Sequence, residues 1–252
     1  MNLLERIVAA RRASIALARR SEIAPAQRST APRLFEAALR APGRRIIAEI
    51  KRRSPSRGPI RDPLDPRAIA AQYARAGAAA ISVLTEPEFF GGSDADLVAA
   101  RDAVTLPVLR KDFILDAGQI AESRALGADA VLLIAAVLAP EELALLVSET
   151  HRSGMAALVE VHDERELDAA LASGTKIVGV NSRDLRDFSV DLERAVRLAR
   201  RIPSDLVAVA ESGIRDVADI ERLEDAGYRA FLVGESLLGA PDPGAALGEL
   251  LA

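Results

Sequence analysis

The chain has 252 residues, 50% of them apolar, with a formal charge of −4 at pH 7, no cysteine and two histidines. Because basic and acidic residues are mixed along the chain, this charge lacks the footprint of a nucleic-acid-binding protein, and we expect no nucleic-acid partner. The lack of cysteine argues against disulfides and structural zinc, and two histidines supply few ligands for metal catalysis.

The N-terminal segment predicts two helices that precede the main fold. Apolar residues recur at helical spacing over 3–19, with arginines on the other face, and a second helix over 33–40 ends at Pro42 and Gly43. Charged residues interrupt the apolar ones in the first helix, which predicts neither a signal peptide nor a membrane span, so we expect a soluble, cytoplasmic protein with no membrane partner. Residues 1–45 should form a helical extension that packs on the main domain as a lid or brace.

The stretch IIAEIKRRSPSRG then changes from an apolar run to charges and on to a loop. Ile46, Ile47 and Ile50 suit a buried strand, while Glu49 and Lys51 alternate along it and share one side. Unpaired charges are expensive to bury, and even a buried ion pair often adds nothing to stability. The pair therefore suggests a functional role. A structural ion pair at a strand end is the alternative interpretation.

A repeat of helix, glycine and apolar strand runs through the rest of the chain. Five joints show it, where a helix C-cap favours a left-handed residue: Gly77, Gly127, Gly154, Gly174 and Gly227. Strands are predicted over 46–51, 79–85, 107–112, 130–135, 156–161, 177–182, 207–212 and 230–234. Helices are predicted over 66–76, 95–103, 117–126, 140–152, 164–172, 192–200, 217–226 and 245–251.

Eight apolar strands, each followed by a helix, predict an α/β fold, a (β/α)8 TIM barrel of parallel strands. Such a barrel commonly uses about 250 residues as one domain, so we expect 1–252 to form a single barrel domain with 1–45 as its N-terminal helical extension. A doubly wound open sheet is the alternative, but the Gly-rich dinucleotide turn expected after its first strand is absent.

Lysine is rare in this chain, since only Lys51, Lys111 and Lys176 occur among 33 basic residues. Arginine stays charged, whereas lysine changes protonation state when its surroundings shift its pKa. A lysine retained in an arginine-rich chain is therefore a candidate acid or base. Lys176 lies in a polar turn, and we interpret it as a lysine retained by chance.

Polar residues gather at the predicted carboxyl ends of the strands, where the active sites of such barrels lie. In chain order these are Glu49 and Lys51, Thr85 and Glu86, Lys111 and Asp112, Glu160, Asn181 and Arg183, Glu211 and Ser212, then Gly234 and Ser236. Charged residues that converge on one barrel mouth are typical of a functional site, so we predict the active site there.

The last two strand ends also predict a phosphate site. Gly213, Gly234 and Ser236 fall where barrels bind phosphate through backbone N–H groups, and glycine lets the backbone approach an anion closely. Glu235 should then offer its amide and turn its carboxylate outward. For Gly213 or Gly234 alone, a simple tight turn is the alternative interpretation.

Aromatic residues are scarce, and four phenylalanines follow predicted strand ends in loops that are usually polar. These are Phe89, Phe90, Phe113 and Phe188. Loops that carry aromatic residues at a barrel mouth favour an apolar pocket for a ring. Packing under a loop is the alternative for each of them alone.

Together, the strand-end segments IAEIKRRSPSRG, LRKDFI, LVEVH, GVNSRDL, AESGI and LVGESLL resemble those of the indole-3-glycerol-phosphate synthase family, in its order and spacing and over nearly the whole chain. The resemblance implies a (β/α)8 enzyme of tryptophan biosynthesis. Its small-molecule substrate would be 1-(2-carboxyphenylamino)-1-deoxyribulose 5-phosphate, which closes to indole-3-glycerol phosphate with loss of CO2 and water. No cofactor and no metal are implied, and we expect a monomer.

Residue by residue, the resemblance implies a catalytic set of Glu49, Lys51, Lys111, Glu160, Asn181 and Ser212. It implies a substrate- and phosphate-binding set of Ser54, Phe90, Phe113, Arg183, Glu211, Gly213, Gly234, Glu235 and Ser236. Lys111 would protonate the ribulose carbonyl during ring closure, and Lys51 would hold the carboxylate that leaves. The residue that makes each later proton transfer stays open. Strand alternation puts His162 on the same side as Glu160, as a catalytic pair would need. We interpret His162 instead as a structural residue at a helix start, next to the preferred N-cap residue Asp163.

Alternative functions share parts of this pattern. A phosphoribosylanthranilate isomerase or a tryptophan synthase α subunit would share the barrel and phosphate loops but would not explain two lysines with Glu160. A Schiff-base aldolase would use a strand-end lysine as nucleophile. A non-enzymatic phosphate-ligand sensor would bind without turnover.

Overall fold

The computed structural model describes residues 2–18, 31–55, 57–184 and 189–252. Within these ranges, eight parallel strands form a closed barrel in which neighbours in the chain pair and the last strand pairs with the first. The barrel strands, first to eighth, are Arg45–Ile50, Ala80–Leu84, Val108–Lys111, Ala130–Ile134, Ala156–Val161, Ile177–Asn181, Val207–Glu211 and Ala230–Val233. The predicted (β/α)8 barrel is confirmed.

Helices surround the barrel, and common capping residues mark their ends. They span Pro66–Ala76, Asp94–Ala103, Ala117–Leu126, Pro140–Arg152, Glu164–Ala172, Leu192–Ala199, Val217–Asp225 and Pro243–Leu251. All but Pro140–Arg152 begin after an Asp or Ser whose side chain accepts a hydrogen bond from a first-turn amide. The five glycines predicted at helix ends all adopt left-handed backbone angles, with φ between 75° and 112°.

Boundary differences have local causes. Seven of the eight barrel strands end one residue before the predicted position, because the chain leaves the barrel ladder as it turns into the loop. The second N-terminal helix is Phe35–Arg40 and not 33–40, since the backbone of Leu34, with φ −78° and ψ 82°, is not helical. The Arg33 amide before it donates to the Asp129 carboxylate at 2.6 Å. Three short elements were not predicted: the two-residue strands Arg53–Ser54 and Gly58–Pro59 and the five-residue helix Glu235–Gly239.

Alternate side chains along each strand face the helices or the barrel interior. On the first strand, Ile46, Ala48 and Ile50 pack in the apolar layer under the helices, while Ile47 belongs to the interior cluster. The interior is filled by residues such as Ile47, Leu109, Leu132, Leu158, Val209 and Leu232. Two positions later each of these strands again points inward, at the carboxyl end of the barrel. The strand register therefore decides which side chains meet there.

The two N-terminal helices pack at opposite ends of the barrel. Leu3–Ala18 lies at the carboxyl ends, where Ile7 joins the cluster that contains Phe113 and Arg11 donates to Asp112 Oδ2 at 2.7 Å. Phe35–Arg40 buries Phe35 and Leu39 at the amino ends of the strands. Among the helices of the described ranges, none combines the length and apolar character that a membrane crossing needs.

Asp129 connects the N-terminal extension to the barrel. Its fully buried carboxylate accepts hydrogen bonds from the amides of Arg33 and Val108, at 2.6 and 2.8 Å, and pairs with Arg101 at 3.2 Å. Arg101 is buried as well and also donates to the Gly127 carbonyl. Removing this carboxylate would leave a buried guanidinium with one fewer partner and two amides without theirs.

We expect Asp129→Ala to lower the free energy of unfolding by about 3–5 kcal/mol, the range found when one partner of a buried ion pair is removed. The matched control is Asp168→Ala, which removes the exposed pair between Asp168 and Arg201. That change should alter the free energy of unfolding by no more than about 1 kcal/mol. Denaturant unfolding of both variants measures the difference, and equal losses would show that the buried network contributes no more than a surface pair.

Candidate active site

A single cavity at the carboxyl ends of the strands brings together every residue of the predicted catalytic and binding sets. Its lining includes Glu49, Lys51, Ser54, Phe90, Lys111, Phe113, Glu160, Asn181, Arg183, Glu211, Ser212, Gly213, Gly234, Glu235 and Ser236. These side chains come from separate strands and loops of the barrel. Their convergence follows from the inward register of the strands, while their individual roles stay predictions.

Lys111 is the central charge of the cavity. Its Nζ lies 3.1 Å from Glu160 Oε2 and 3.4 Å from Glu211 Oε2, and both carboxyl groups are buried. Burial alone would lower the pKa of Lys111, but the negative charges of the surrounding glutamates raise it above its usual value. Lys111 is therefore an ammonium ion at neutral pH.

The two glutamates beside Lys111 differ in protonation. Burial would raise the pKa of Glu160, but Lys111, His162 and a hydrogen bond with Asn181 outweigh it and lower the pKa. For Glu211, burial dominates: with Lys111 opposing and Glu160 adding to it, the pKa rises to about 8. At neutral pH Glu160 is thus a carboxylate and Glu211 carries a proton.

A second lysine and glutamate pair lies on the first strand and just after it. Lys51 Nζ donates to Glu49 Oε1 at 2.6 Å. Burial would raise the pKa of Glu49, but the charges of Lys51 and Lys111 lower it, so Glu49 is ionised. The predicted shared side of Glu49 and Lys51 is confirmed.

Two glycines make room for these carboxylates. A Cβ on Gly234 would lie 2.5 Å from Glu49 Oε1, and a Cβ on Gly179 would overlap Glu211 Oε1. Any larger residue at either position would displace the carboxylate that it faces. Gly234 was predicted to bind phosphate, whereas Gly179 was not among the predicted site residues.

The loops after the sixth, seventh and eighth strands form one wall of the cavity. Ser212 and Gly213 both have left-handed backbone angles, with φ of 65° and 81°. Ser212 is the one non-glycine residue of the described ranges with a positive φ, which points to a functional constraint on this turn. The carboxylate of Glu235 is paired with Arg57 at 2.8 Å and with Arg183 at 3.4 Å.

The opposite wall is apolar. Phe90 and Phe113 line it with their ring centroids 6.2 Å apart, next to Leu132 and Ile134 of the fourth strand. Phe113 is 5% exposed and also belongs to the interior cluster, so it packs the core as well as lining the cavity. Phe188 lies outside the described residues. The cavity thus joins an apolar surface suited to a ring to a polar surface that carries two ammonium groups.

Comparison with known proteins agrees with this geometry. A family model described as indole-3-glycerol phosphate synthase matches residues 4–250. The chain belongs to the indole-3-glycerol phosphate synthase family. It is 54% identical to indole-3-glycerol phosphate synthase 2 of Streptomyces coelicolor over 86% of this chain and 84% of that protein. It is 48% identical to the indole-3-glycerol phosphate synthase of Paracidovorax citrulli over 100% of this chain and 99% of that protein.

Solved structures of low sequence identity share the fold of this indole-3-glycerol phosphate synthase family member. Thiamine phosphate pyrophosphorylase from Pyrococcus furiosus superposes with a TM-score of 0.61 at 17% identity, over 82% of this chain and 93% of that one. Because the identity is so low, this likeness supports the barrel alone.

Other strand-end residues of this family member hold the structure around the cavity. Asp112 Oδ2 accepts hydrogen bonds from Arg11 and Thr85, at 2.7 and 2.6 Å. Glu86 accepts from the amides of residues 88–90 and so fixes the loop that carries Phe90. These contacts hold the loops around the cavity, and Asp112 also lines it. Among the described residues, no group of three or more His, Asp or Glu side chains is arranged to hold a metal ion.

The ring of His162 makes contacts that were not predicted from the sequence. Asp163 is the N-cap of the following helix, as predicted, and the His162 amide donates to Glu166 Oε2 at 2.7 Å. In addition, the ring places Nδ1 3.0 Å from Glu166 Oε2 and Nε2 3.5 Å from Glu160 Oε1. Strand alternation put His162 and Glu160 on one side, but the sequence did not reveal the distance between them.

The protonation of Glu211 predicts a pH dependence of stability. Its pKa is about 8 in the folded protein against 4.5 for an ordinary glutamate, so between these values the folded state holds one proton that the unfolded state lacks. The free energy of unfolding then falls as pH rises, by at most about 1.4 kcal/mol per pH unit. Glu211→Gln removes this titration, so its stability should fall less than that of the wild type between pH 5 and 8 in denaturant unfolding. Parallel curves would contradict a protonated Glu211.

Proposed function

We propose that this chain converts 1-(2-carboxyphenylamino)-1-deoxyribulose 5-phosphate to indole-3-glycerol phosphate, with release of CO2 and water, in tryptophan biosynthesis. One observation carries the proposal: Lys111 is held as an ammonium ion between Glu160 and Glu211 in a cavity that also has an apolar wall. Family membership supports the same reaction. The reaction needs an acid beside a carbonyl, a cation beside a carboxylate and a surface for an aromatic ring.

The cavity matches the three parts of this substrate. The carboxyphenyl ring fits against Phe90, Phe113 and the apolar residues of the fourth strand. Its carboxylate fits beside Lys51, and its phosphate fits the loops that carry Gly213, Gly234 and Ser236, with Ser54 as a further contact. Arg183 lies next to these loops and can pair with the phosphate in place of its weak contact with Glu235.

Ring closure is the step assigned to Lys111. The aromatic carbon attacks the ribulose carbonyl, and the carbonyl oxygen becomes an alkoxide as the bond forms. An alkoxide is more basic than a lysine amine, so the ammonium proton of Lys111 can pass to it as the charge develops. The negative charges of Glu160 and Glu49 keep Lys111 protonated before the substrate arrives.

Loss of CO2 and dehydration complete the reaction. When CO2 leaves, the bonding electrons return to the ring and restore its aromaticity. The hydroxyl then leaves as water after taking a proton, and the carbon next to nitrogen gives up a proton to a base. Glu160 and Lys51 are the groups in place for these transfers, with Glu49 tuning Lys51 and with Asn181 and Ser212 orienting the substrate hydroxyls.

The proton balance of the reaction follows from these steps. The alkoxide takes up one proton and the departing hydroxyl a second, while the carbon next to nitrogen returns one. Because the carboxylate leaves as neutral CO2, each turnover consumes one proton from solvent. The active site therefore needs a source of protons as well as an acid and a base.

The alternatives fit the cavity less well. A Schiff-base aldolase needs a neutral lysine as nucleophile, whereas the surrounding carboxylates keep Lys111 charged. A sensor would have no use for two buried lysine and glutamate pairs, which are costly to maintain for binding alone. We further propose a single-domain, cytoplasmic monomer that needs no cofactor, nucleic acid or membrane, on the basis of its composition and charge.

The direct test is turnover of the carboxyphenylamino substrate by the purified protein, followed by the appearance of indole fluorescence. Product formation that depends on enzyme concentration is expected. Binding without product would favour the sensor, and trapping of a covalent adduct by borohydride would favour the aldolase.

Lys111→Arg should lower kcat by about 10²–10⁴-fold, the usual contribution of a positioned general acid. Arginine keeps the positive charge, but its guanidinium gives up a proton far less readily and is wider and planar. The matched control is Lys176→Arg, because Lys176 lies at the opposite end of the barrel and lines no part of this cavity. Its kcat should equal that of the wild type. If Lys111→Arg kept kcat within about tenfold at an unchanged melting temperature, Lys111 would be a charge-balancing residue, because that loss is only about 1.4 kcal/mol.

A further inference from the structure

The position of Glu160 raises the question of how the proton that each turnover consumes reaches this carboxylate. Glu160 is 1% exposed, and its side chain faces the cavity that the substrate would fill. With substrate or product in place, the barrel mouth is a poor route for the proton that each turnover consumes. This argument rests on the function proposed above, since the proton balance belongs to that reaction.

A second cavity lies on the other side of His162. His162 and Glu166 line it but do not line the catalytic cavity, while Glu160 lines only the catalytic one. The second cavity reaches solvent, because Asp163 and Glu164 on its rim are exposed. The contact between Glu160 and His162 is therefore a boundary between the two cavities.

The His162 ring is oriented to carry a proton across this boundary. Nδ1 is held by Glu166 Oε2 at 3.0 Å, and Nε2 is buried 3.5 Å from Glu160 Oε1. Within the described residues, Nε2 makes no hydrogen bond. Shortening the gap to Glu160 by a few tenths of an ångström would give it one. The two ring nitrogens would then face a carboxylate on each side.

The charges around His162 favour its protonated form. Burial alone would lower the pKa of His162, but the hydrogen bond with Glu166 and the charges of Glu160 and Glu166 raise the pKa. The remaining charged groups of the second cavity are Glu5, Asp163, Glu164, Asp184, Arg194 and Arg197. Acidic groups outnumber the arginines there, so they also favour a cation.

We propose that His162 is a proton-transfer residue that links Glu160 to solvent through the second cavity. In each transfer the Nε2–H bond breaks and an O–H bond forms on Glu160 Oε1. The imidazole then regains a proton through Glu166 and the water of the second cavity. No redox change occurs, and the proton taken from solvent is the one that the reaction consumes.

The test is the buffer dependence of turnover in His162→Gln, at fixed ionic strength and at pH 8, where free protons are scarce. We expect kcat to fall by about tenfold, less than for loss of a direct general acid, with little change in KM. Imidazole added to the assay should restore kcat with a saturating concentration dependence, because it can deliver protons in place of the missing ring. The wild type should not respond to imidazole.

His151→Gln is the matched control, since His151 is the other histidine of the chain and is exposed on the helix Pro140–Arg152. This variant should keep wild-type kcat and show no response to imidazole. Melting temperatures of both variants, and of His162→Asn as a second substitution, verify folding. His162→Asn should show the same loss and the same rescue.

Each other outcome would decide against the proposal. Wild-type kcat in His162→Gln, or a loss that imidazole does not restore, would mean that His162 only positions Glu160 or the helix start. An inactive wild-type protein would overturn the proposed function and this inference with it. A wild type that turns over normally beside an unaffected His162→Gln variant would overturn the proton-transfer role alone.

Discussion

The mutual attraction of buried charges around Lys111 is the interaction on which the site depends. Isolated burial of an ammonium or a carboxylate is prohibitive, and a pair becomes tolerable only when further contacts complete it. Here two lysines face Glu49 and Glu160, while Glu211 stays neutral by keeping its proton. The charges of these two lysines and two glutamates therefore balance before the substrate arrives. An anionic substrate then meets ammonium groups that are already in place, which is the preorganisation that catalysis requires.

The barrel holds these charges through contacts on the far side of the third strand. Arg110, next to Lys111, points toward the helices and pairs with Asp94 at 2.9 Å and Glu122 at 2.8 Å. Asp112, on the other side of Lys111, is held by Arg11 and Thr85. The two chain neighbours of Lys111 are thus each held by partners that do not contact Lys111 itself. One of those contacts comes from the N-terminal helix, so that helix supports the strand that carries the proposed acid.

Much of this arrangement was predictable because it follows from short-range periodicity. Alternation along the first strand placed Glu49 and Lys51 on one side, and five glycines after helices marked the joints of the barrel. The two-residue strands near Ser54 were not predictable, since such strands are too short to show a period. The protonation of Glu211 was also not predictable, because it depends on burial and on a distance to Glu160 that only the closed barrel sets. The residues after His162 have the pattern of a helix start, which favoured a structural role for His162. The contact of its ring with Glu160 was therefore not predicted.

The account stands on Lys111 being an ammonium ion held by its neighbours, and NMR of its side-chain nitrogen measures this most directly. The chain has only Lys51, Lys111 and Lys176, so a spectrum of protein labelled with 15N in lysine contains three side-chain signals, and that of Lys111 is assigned by its loss in a variant. The account predicts that this nitrogen stays protonated through about pH 10.5, the ordinary pKa of lysine. Deprotonation of Lys111 below about pH 9 would contradict it, because a lysine that loses its proton so easily cannot be held by two glutamates in the way described.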